Sequence, residues 1–154
     1  MDAGRDWRQV AADGRWADLT SSDWDAFAKE WLAELRVSSP PPGSDAGQSD
    51  TAETVGEAVV LMNFVAGPDQ QWQFICSAVA HADSDDELRH IAAGPVEHLL
   101  GWHAKDVIAR VEAQAAADHK FARTLTGVWQ YMMSDEVWAR VQAIQATVFN
   151  PLGR

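Results

Sequence analysis

Residues 84–117 constrain the fold of this chain more than any other stretch, because they hold start and stop signals for helices at close spacing. Ser84 and Glu87 have the spacing of a capping box, in which the serine oxygen accepts from the third amide and the glutamate reaches back. Leu88 and Ile91 then fall on one helical face. This pattern predicts a helix that begins at Ser84.

A glycine–proline pair follows within the same stretch. Gly94 can adopt the left-handed conformation that ends a helix, and Pro95 has the fixed φ suited to a first helical position. Glu97 then lies near the third position, where a carboxylate meets unsatisfied amides. We therefore expect a sharp corner between two helices at Gly94–Pro95. The sequence Ala66–Pro68 predicts a second corner of the same kind.

An apolar stripe marks a longer helix near the N-terminus. Trp24, Phe27 and Trp31 recur at helical spacing, with Ser22 as the expected N-cap. Such a stripe needs a partner surface. That surface is either the core of the same chain or a second copy in a structural homo-oligomer.

Composition divides the chain into three segments. Residues 37–50 combine proline, serine and glycine with nothing to bury, which predicts a flexible linker. A Trp-rich helical arm precedes it at 1–36, and an α-helical core domain follows at 51–150. Within the arm, residues 6–19 predict a short helix that Gly14 weakens.

No segment alternates apolar and polar residues over a useful length, so the predicted fold class is all-α. Asp118 and Ser134 are the expected N-caps of the last two helices, the first of which continues to Met132. Residues 106–113 and 136–143 share Val, Ala-Arg-Val and Ala in register. A true repeat predicts a HEAT-like short α-solenoid, and chance similarity between Ala-rich helices leaves a helical bundle.

The charge of the chain is strongly acidic and unevenly placed. The net charge is −11, and residues 51–100 carry eight acids against one base. This segment repels phosphate backbones, which excludes direct nucleic-acid binding, and it favours a basic protein partner. Asp83, Asp85 and Asp86 are its candidate partner-binding residues. The alternative is an acidic surface that only promotes solubility.

Several classes of protein are not indicated. Cys76, the single cysteine, excludes an intramolecular disulfide and lies on an apolar stripe typical of core residues. The apolar run at 58–62 is far shorter than the roughly 20 residues that span a bilayer. With no signal-peptide pattern at the N-terminus, we expect a cytoplasmic protein without membrane contact. No nucleotide or phosphate-binding motif occurs, so no cofactor is expected.

Histidines are concentrated near the middle of the chain, at His81, His90, His98 and His103. Ligands on one helix converge on a metal at spacings of three or four residues, and no histidine pair has that spacing. No metal site is therefore expected.

Two residues could carry acid–base chemistry if the turn between them brings them together. Glu97 and His103 would then act as a general acid and base. The alternative, which we favour, makes Glu97 a charge at a helix N-terminus and His103 a cap at the corner. Trp102, beside His103, is the candidate aromatic anchor for a partner. Burial beneath the next helix is its alternative.

The stretch Ile91-Ala-Ala-Gly-Pro-Val-Glu-His-Leu-Leu-Gly-Trp-His resembles a family of small bacterial helical proteins described only as a domain of unknown function. The family's signature is similar to Ala-Gly-Pro-Leu-Glu-x-Leu-Leu followed by His-Gly. The matching positions are Gly94, Pro95, Glu97, Leu99, Leu100 and His103. Val96 stands where leucine is usual, and Ala104 where glycine is usual. The resemblance covers roughly half of the chain and implies an α-helical, HEAT-like fold without any assigned activity.

These observations support three hypotheses. The leading one is a non-catalytic acidic interaction module that binds a basic protein, of the immunity or inhibitor kind. The second is a small enzyme that uses Glu97 and His103. The third is a structural homo-oligomer joined through the Trp24, Phe27 and Trp31 face.

Overall fold

A computed structural model describes residues 5–38 and 55–153, which form helices and connecting turns without any strand. The helices are α1 Trp7–Asp13, α2 Ser21–Ser38, α3 Val55–Val65, α4 Pro68–His81, α5 Asp85–Ile91, α6 Glu97–Ala117, α7 His119–Leu125 and α8 Asp135–Gln145. The all-α prediction is confirmed for the described residues. None of these helices is both long and apolar enough to cross a membrane.

The linker expected at 37–50 lies mostly outside the described residues. Its first two positions are helical, because α2 continues through Ser38. The beginning of α2 also differs from the prediction. Thr20 Oγ1 accepts from the Asp23 amide at 3.2 Å, and Asp23 Oδ2 accepts from the Thr20 amide at 2.9 Å. This reciprocal cap replaces the expected cap at Ser22.

Gly14 ends α1 rather than weakening its interior. Its φ of 64° is left-handed, and its amide donates to the Ala11 carbonyl. The next amide, of Arg15, donates to the Val10 carbonyl at 3.1 Å. Glycine is favoured here because a Cβ in this conformation would be strained.

The arm packs against the core through aromatic rings. Phe27 stacks on Trp7 with ring centroids 4.6 Å apart and contacts Phe74 of α4 at 5.0 Å. Trp31 lies 5.5 Å from the same ring. The stripe of α2 is therefore buried within its own chain, with Trp24 3%, Phe27 0% and Trp31 6% exposed. Phe74 of α4 thus packs on the face that the homo-oligomer hypothesis assigned to a second copy.

Of the two predicted glycine–proline corners, the structure contains one. Gly67 adopts an extended conformation, and Pro68 is the first residue of α4. At Gly94–Pro95 the prediction is wrong, because Ala92–Val96 forms a single wide π-helical turn that joins α5 to α6. Proline lacks an amide and its ring crowds the carbonyl four residues earlier. One extra residue in the turn relieves that conflict while the chain stays helical.

The bend expected at Gly94 lies nine residues further on. His103 has non-helical angles, φ −130° and ψ 23°, and kinks α6 there. The N-caps predicted at Ser84, Asp118 and Ser134 are confirmed by side-chain bonds to the following amides. The helix from Asp118 does not reach Met132, because it ends at Leu125 and a non-helical segment follows.

Candidate functional site

The three candidate aspartates each face an arginine of the same chain. Asp83 lies 3.0 Å from Arg36, and Asp86 lies 3.7 Å from Arg89. Asp85 accepts two bonds from Arg123, at 2.9 and 3.2 Å. These bonds from the guanidinium lower the pKa of Asp85. Internal pairing therefore offsets much of the local negative charge that a basic partner would meet.

Glu97 and His103 are not brought together as an acid–base pair. Glu97 is 8% exposed, and its Oε1 accepts the backbone N–H of Trp129 at 2.8 Å. Burial raises the pKa of Glu97, and the bond from Trp129 opposes that shift. Within the described part of the chain no hydrogen bond joins the carboxylate to His103. Glu97 is therefore a buried hydrogen-bond acceptor that holds the segment containing Trp129 against α6.

Trp102 is exposed rather than buried under the next helix. It is 57% exposed, and three further apolar side chains near it are also open to solvent: Phe64 60%, Tyr131 44% and Met132 61%. We call these four residues the aromatic surface. Large apolar side chains exposed together are uncommon on proteins that act alone and mark interaction sites.

His98 connects two members of the aromatic surface. Its ring lies edge-on to Phe64, with centroids 4.8 Å apart, and 5.5 Å from the Tyr131 ring. Burial lowers the pKa of His98, and its Nδ1 is buried without a hydrogen-bond partner. The imidazole therefore serves as a neutral spacer between α3 and the segment that follows α7.

A glycine allows that segment to approach α6. A Cβ at Gly101 would lie 2.8 Å from the Tyr131 carbonyl oxygen and 3.0 Å from Met132 Cβ. Met132 itself has a φ of 57°, a conformation costly for a side chain of its kind. Backbone strain of this type concentrates at functional sites. The close contact at Gly101 fixes Tyr131 and Met132 beside Trp102.

Two hollows lie on either side of Trp102 and His103. One is a groove of about 640 Å³ between α6 and α8, with Lys105, Glu136 and Arg140 among its lining residues. The other is a small cavity of about 190 Å³, lined by Asn63, Phe64, Trp102 and His103. Trp102 therefore forms a ridge from which a bound partner could enter either hollow.

Other reactive side chains do not assemble into a site. In the described ranges no three of the histidine, cysteine, aspartate and glutamate side chains converge as metal ligands would. Burial, together with the negative charge of Asp118, raises the pKa of Cys76 to about 11. The thiol is therefore protonated at neutral pH and is a poor nucleophile.

Sequence reasoning missed Asn63, Phe64, Tyr131 and Met132. The helix predicted to continue to Met132 hid the last two, since it placed Met132 on a buried apolar stripe and gave Tyr131 no role. A signal for Phe64 was present in α3, whose residues 58–62 and 64–65 are all apolar. A helix that is apolar on every side is ordinarily buried, yet Val60, Leu61 and Phe64 are exposed.

The comparison with family models gives a match over residues 44–148, to the Family of unknown function (DUF6869). The chain belongs to the DUF6869 family. The expected resemblance to a domain of unknown function is thereby confirmed at that level. The matched part of this DUF6869 chain runs from before α3 to beyond α8 and contains the whole aromatic surface. No curated protein and no solved structure matches the chain.

Proposed function

We propose that this DUF6869 protein is a non-catalytic interaction module that binds a protein partner through the aromatic surface. The observation that carries the proposal is the exposure of Trp102, at 57%, beside Phe64, Tyr131 and Met132. Tryptophan and tyrosine dominate the energetic centres of interfaces because each buries a large area with few rotatable bonds.

The arrangement around Trp102 supports an interface rather than a catalytic pocket. The ridge stands between two hollows, so that a partner can surround it on both sides. The surface is held by Gly101 and by the left-handed Met132, which fix its shape before binding. Such pre-organisation reduces the ordering cost of association. Catalysis by Glu97 is not proposed, because its Oε1 accepts from the Trp129 amide and no hydrogen bond among the described residues joins the carboxylate to His103.

The second part of the proposal is that the partner is a basic protein, because the chain has a net charge of −11. The net negative charge of the chain, to which Asp83, Asp85 and Asp86 contribute, is proposed to attract that partner at a distance, although each of the three is paired with an arginine at close range. Long-range attraction mainly raises the association rate. A small acidic cytoplasmic protein that sequesters a basic one, of the inhibitor or immunity kind, fits this combination.

A HEAT-like stacking of helix pairs is proposed for the scaffold. Its support is the pair of equivalent arginines in the two similar segments. Arg110 in α6 bonds Asp69 of α4, and Arg140 in α8 bonds Glu112 of α6. Each arginine thus reaches an acid on an earlier helix of the fold, as repeated units would.

The test compares two variants against the wild type. The chain is purified from its native host, the partner is identified by mass spectrometry, and association and dissociation rates are measured. We expect Trp102→Ser to raise the dissociation rate at least tenfold. The triple Asn variant of Asp83, Asp85 and Asp86 should lower only the association rate at low salt. A partner that binds Trp102→Ser with wild-type rates would contradict the proposal.

A further inference from the structure

The cavity beside Trp102 contains an unsatisfied polar group. Asn63 in α3 is 5% exposed, and its Oδ1 is buried with no hydrogen-bond partner among residues 5–38 and 55–153. Burying an amide oxygen without a donor lowers stability, so such groups are rare in folded proteins. Asn63 also lines the 190 Å³ cavity, so this amide side chain belongs to the cavity wall.

The walls of the cavity are aromatic. Phe64 and Trp102 line it together with His103, and both are more than half exposed. The faces of aromatic rings carry partial negative charge and attract cations, tryptophan most strongly. Among the described residues, no lysine, arginine, aspartate or glutamate lines the cavity. An entering cation would therefore meet the amide oxygen of Asn63 and the rings of Phe64 and Trp102. Within the described residues it would meet no lysine, arginine or carboxylate there.

The size of the cavity limits the occupant. Pockets for cofactors and drug-sized ligands are typically about 300–1,000 Å³, whereas this one is about 190 Å³. One side chain of a partner suits that volume. An apolar side chain would leave Asn63 Oδ1 without a donor, and an acidic one would approach a chain of net charge −11.

We propose that the cavity formed by Asn63, Phe64, Trp102 and His103 binds the guanidinium of an arginine side chain presented by the protein partner. Arginine fits better than lysine because its planar group stacks on Trp102 and donates along its edge to Asn63 Oδ1. This inference rests on the proposed function and names the chemistry that its partner must present.

The experiment titrates the ¹⁵N-labelled full chain with acetyl-Gly-Arg-Gly-amide and follows the indole N–H resonances of the tryptophans by NMR. The Trp102 resonance is identified by its absence from the spectrum of Trp102→Phe. We expect a saturable shift of this resonance, with a Kd on the order of millimolar for one side chain. The matched citrulline peptide has nearly the same shape without the charge, and should bind at least tenfold more weakly.

Three further peptides and one free ligand complete the test. Lysine should bind more weakly than arginine, and norleucine and glutamate peptides should not shift the Trp102 resonance. Equal binding by citrulline or norleucine would overturn the cation assignment, and equal or tighter binding by lysine would overturn the guanidinium. If free arginine binds tenfold tighter than the peptide, the cavity is a small-molecule site and the partner assignment is overturned.

Asn63→Leu separates binding from folding. Replacing an unsatisfied amide with an apolar side chain of similar size should leave the melting temperature equal or higher, while arginine-peptide binding falls at least tenfold. Unchanged binding by this variant would overturn the role of Asn63. If the variant does not fold, the exposed Trp102→Ala replaces it, with peptide binding followed by the backbone amide resonances of Phe64 and His103, and wild-type peptide affinity in that variant would overturn the site.

The proposed function and this inference fail separately. If binding of the partner depends on Trp102 but the arginine peptide causes no shift, the guanidinium site is rejected and the proposed interface is retained. A peptide shift together with a partner indifferent to Trp102→Ser would remove the interface, and with it the claim that the partner supplies the arginine.

Discussion

Glu97 in α6 accepts a 2.8 Å hydrogen bond from the backbone N–H of Trp129, thirty-two positions further along the chain. This bond joins the helix that contains Trp102 to the segment that contains Tyr131 and Met132. The carboxylate is buried for that contact, which raises its pKa. Glu97 therefore fixes the position of the aromatic surface at a cost in stability at neutral pH.

Glu97→Gln should raise the free energy of unfolding at pH 7 by about 1 kcal/mol, because the amide oxygen can still accept from Trp129 without a buried charge. A raised pKa in the folded state means that stability is greatest below the ordinary value of 4.5 and is lost as pH rises. The difference between variant and wild type should therefore shrink toward pH 4.5. Urea unfolding between pH 4 and 8 measures it.

Glu87→Gln is the control of opposite sign. Burial opposes ionisation of Glu87, but bonds from Arg36 and Ser84 outweigh burial and lower its pKa. Its contribution is present above pH 4.5 and is lost as pH falls further. The variant should lose about 1–3 kcal/mol at pH 7 and little at pH 3. Similar pH profiles for the two variants would contradict both assignments.

Gly94→Ala tests the continuous helix through the π-helical turn, and Gly101→Ala tests the close approach of Tyr131 to α6. A Cβ at Gly94 meets nothing within 4 Å, so alanine should stabilise by about 0.5–1 kcal/mol through its higher helix propensity. A Cβ at Gly101 would lie 2.8 Å from a backbone carbonyl, and alanine should cost about 1–3 kcal/mol. If Gly94→Ala lowered the free energy of unfolding, the continuous helix would be contradicted and the sharp corner predicted from the sequence would be supported.

Local signals in the sequence predicted much of the helical framework. The predicted N-caps are found in the structure at Ser84, Asp118 and Ser134. An N-cap can be predicted locally because its side-chain oxygen accepts from a free amide only two or three residues further along the chain. Gly94–Pro95 misled because the pair is compatible with two backbones, a stop and a wide helical turn. The packing of α5 and α6 against the rest of the fold decides between these two backbones. That packing cannot be read from the local sequence.

The candidate site was less predictable than the framework. Trp102 was a candidate from its place beside His103, but its neighbours Phe64 and Tyr131 come from segments far away in the chain. Their contact through His98 depends on tertiary packing. The acidic cluster was visible as composition, whereas the arginines that pair with it, such as Arg36 and Arg123, are distant in sequence.

His98 should make stability depend on pH in the mildly acidic range. Burial lowers its pKa below the ordinary 6.5, so its contribution is present above that value and is lost as pH falls through the folded-state pKa. His98→Phe keeps the ring contacts without titration and should flatten the profile between pH 5 and 7. The exposed His90→Gln is the control and should retain the wild-type slope. Equal slopes in all three proteins would contradict a buried neutral imidazole.

Cys76 should react slowly with alkylating reagents while the chain is folded. Its pKa is raised from 9.0 to about 11, which reduces the thiolate fraction at pH 8 by about a hundredfold. Iodoacetamide labelling should accelerate by at least that factor in denaturing urea. A folded-state rate like that of a free thiol would show an exposed, reactive cysteine and would reopen the question of a nucleophile.

The central claim, an interface centred on Trp102, is tested most directly by photo-crosslinking in the native host. A photoreactive phenylalanine analogue replaces Tyr131 in one variant, which leaves Trp102 in place, and Phe149 in the other, an exposed apolar residue outside the aromatic surface. The account predicts one discrete crosslinked protein from position 131, seen in independent preparations and missing from position 149. The same products from both positions, or none from position 131 in a folded chain, would contradict it.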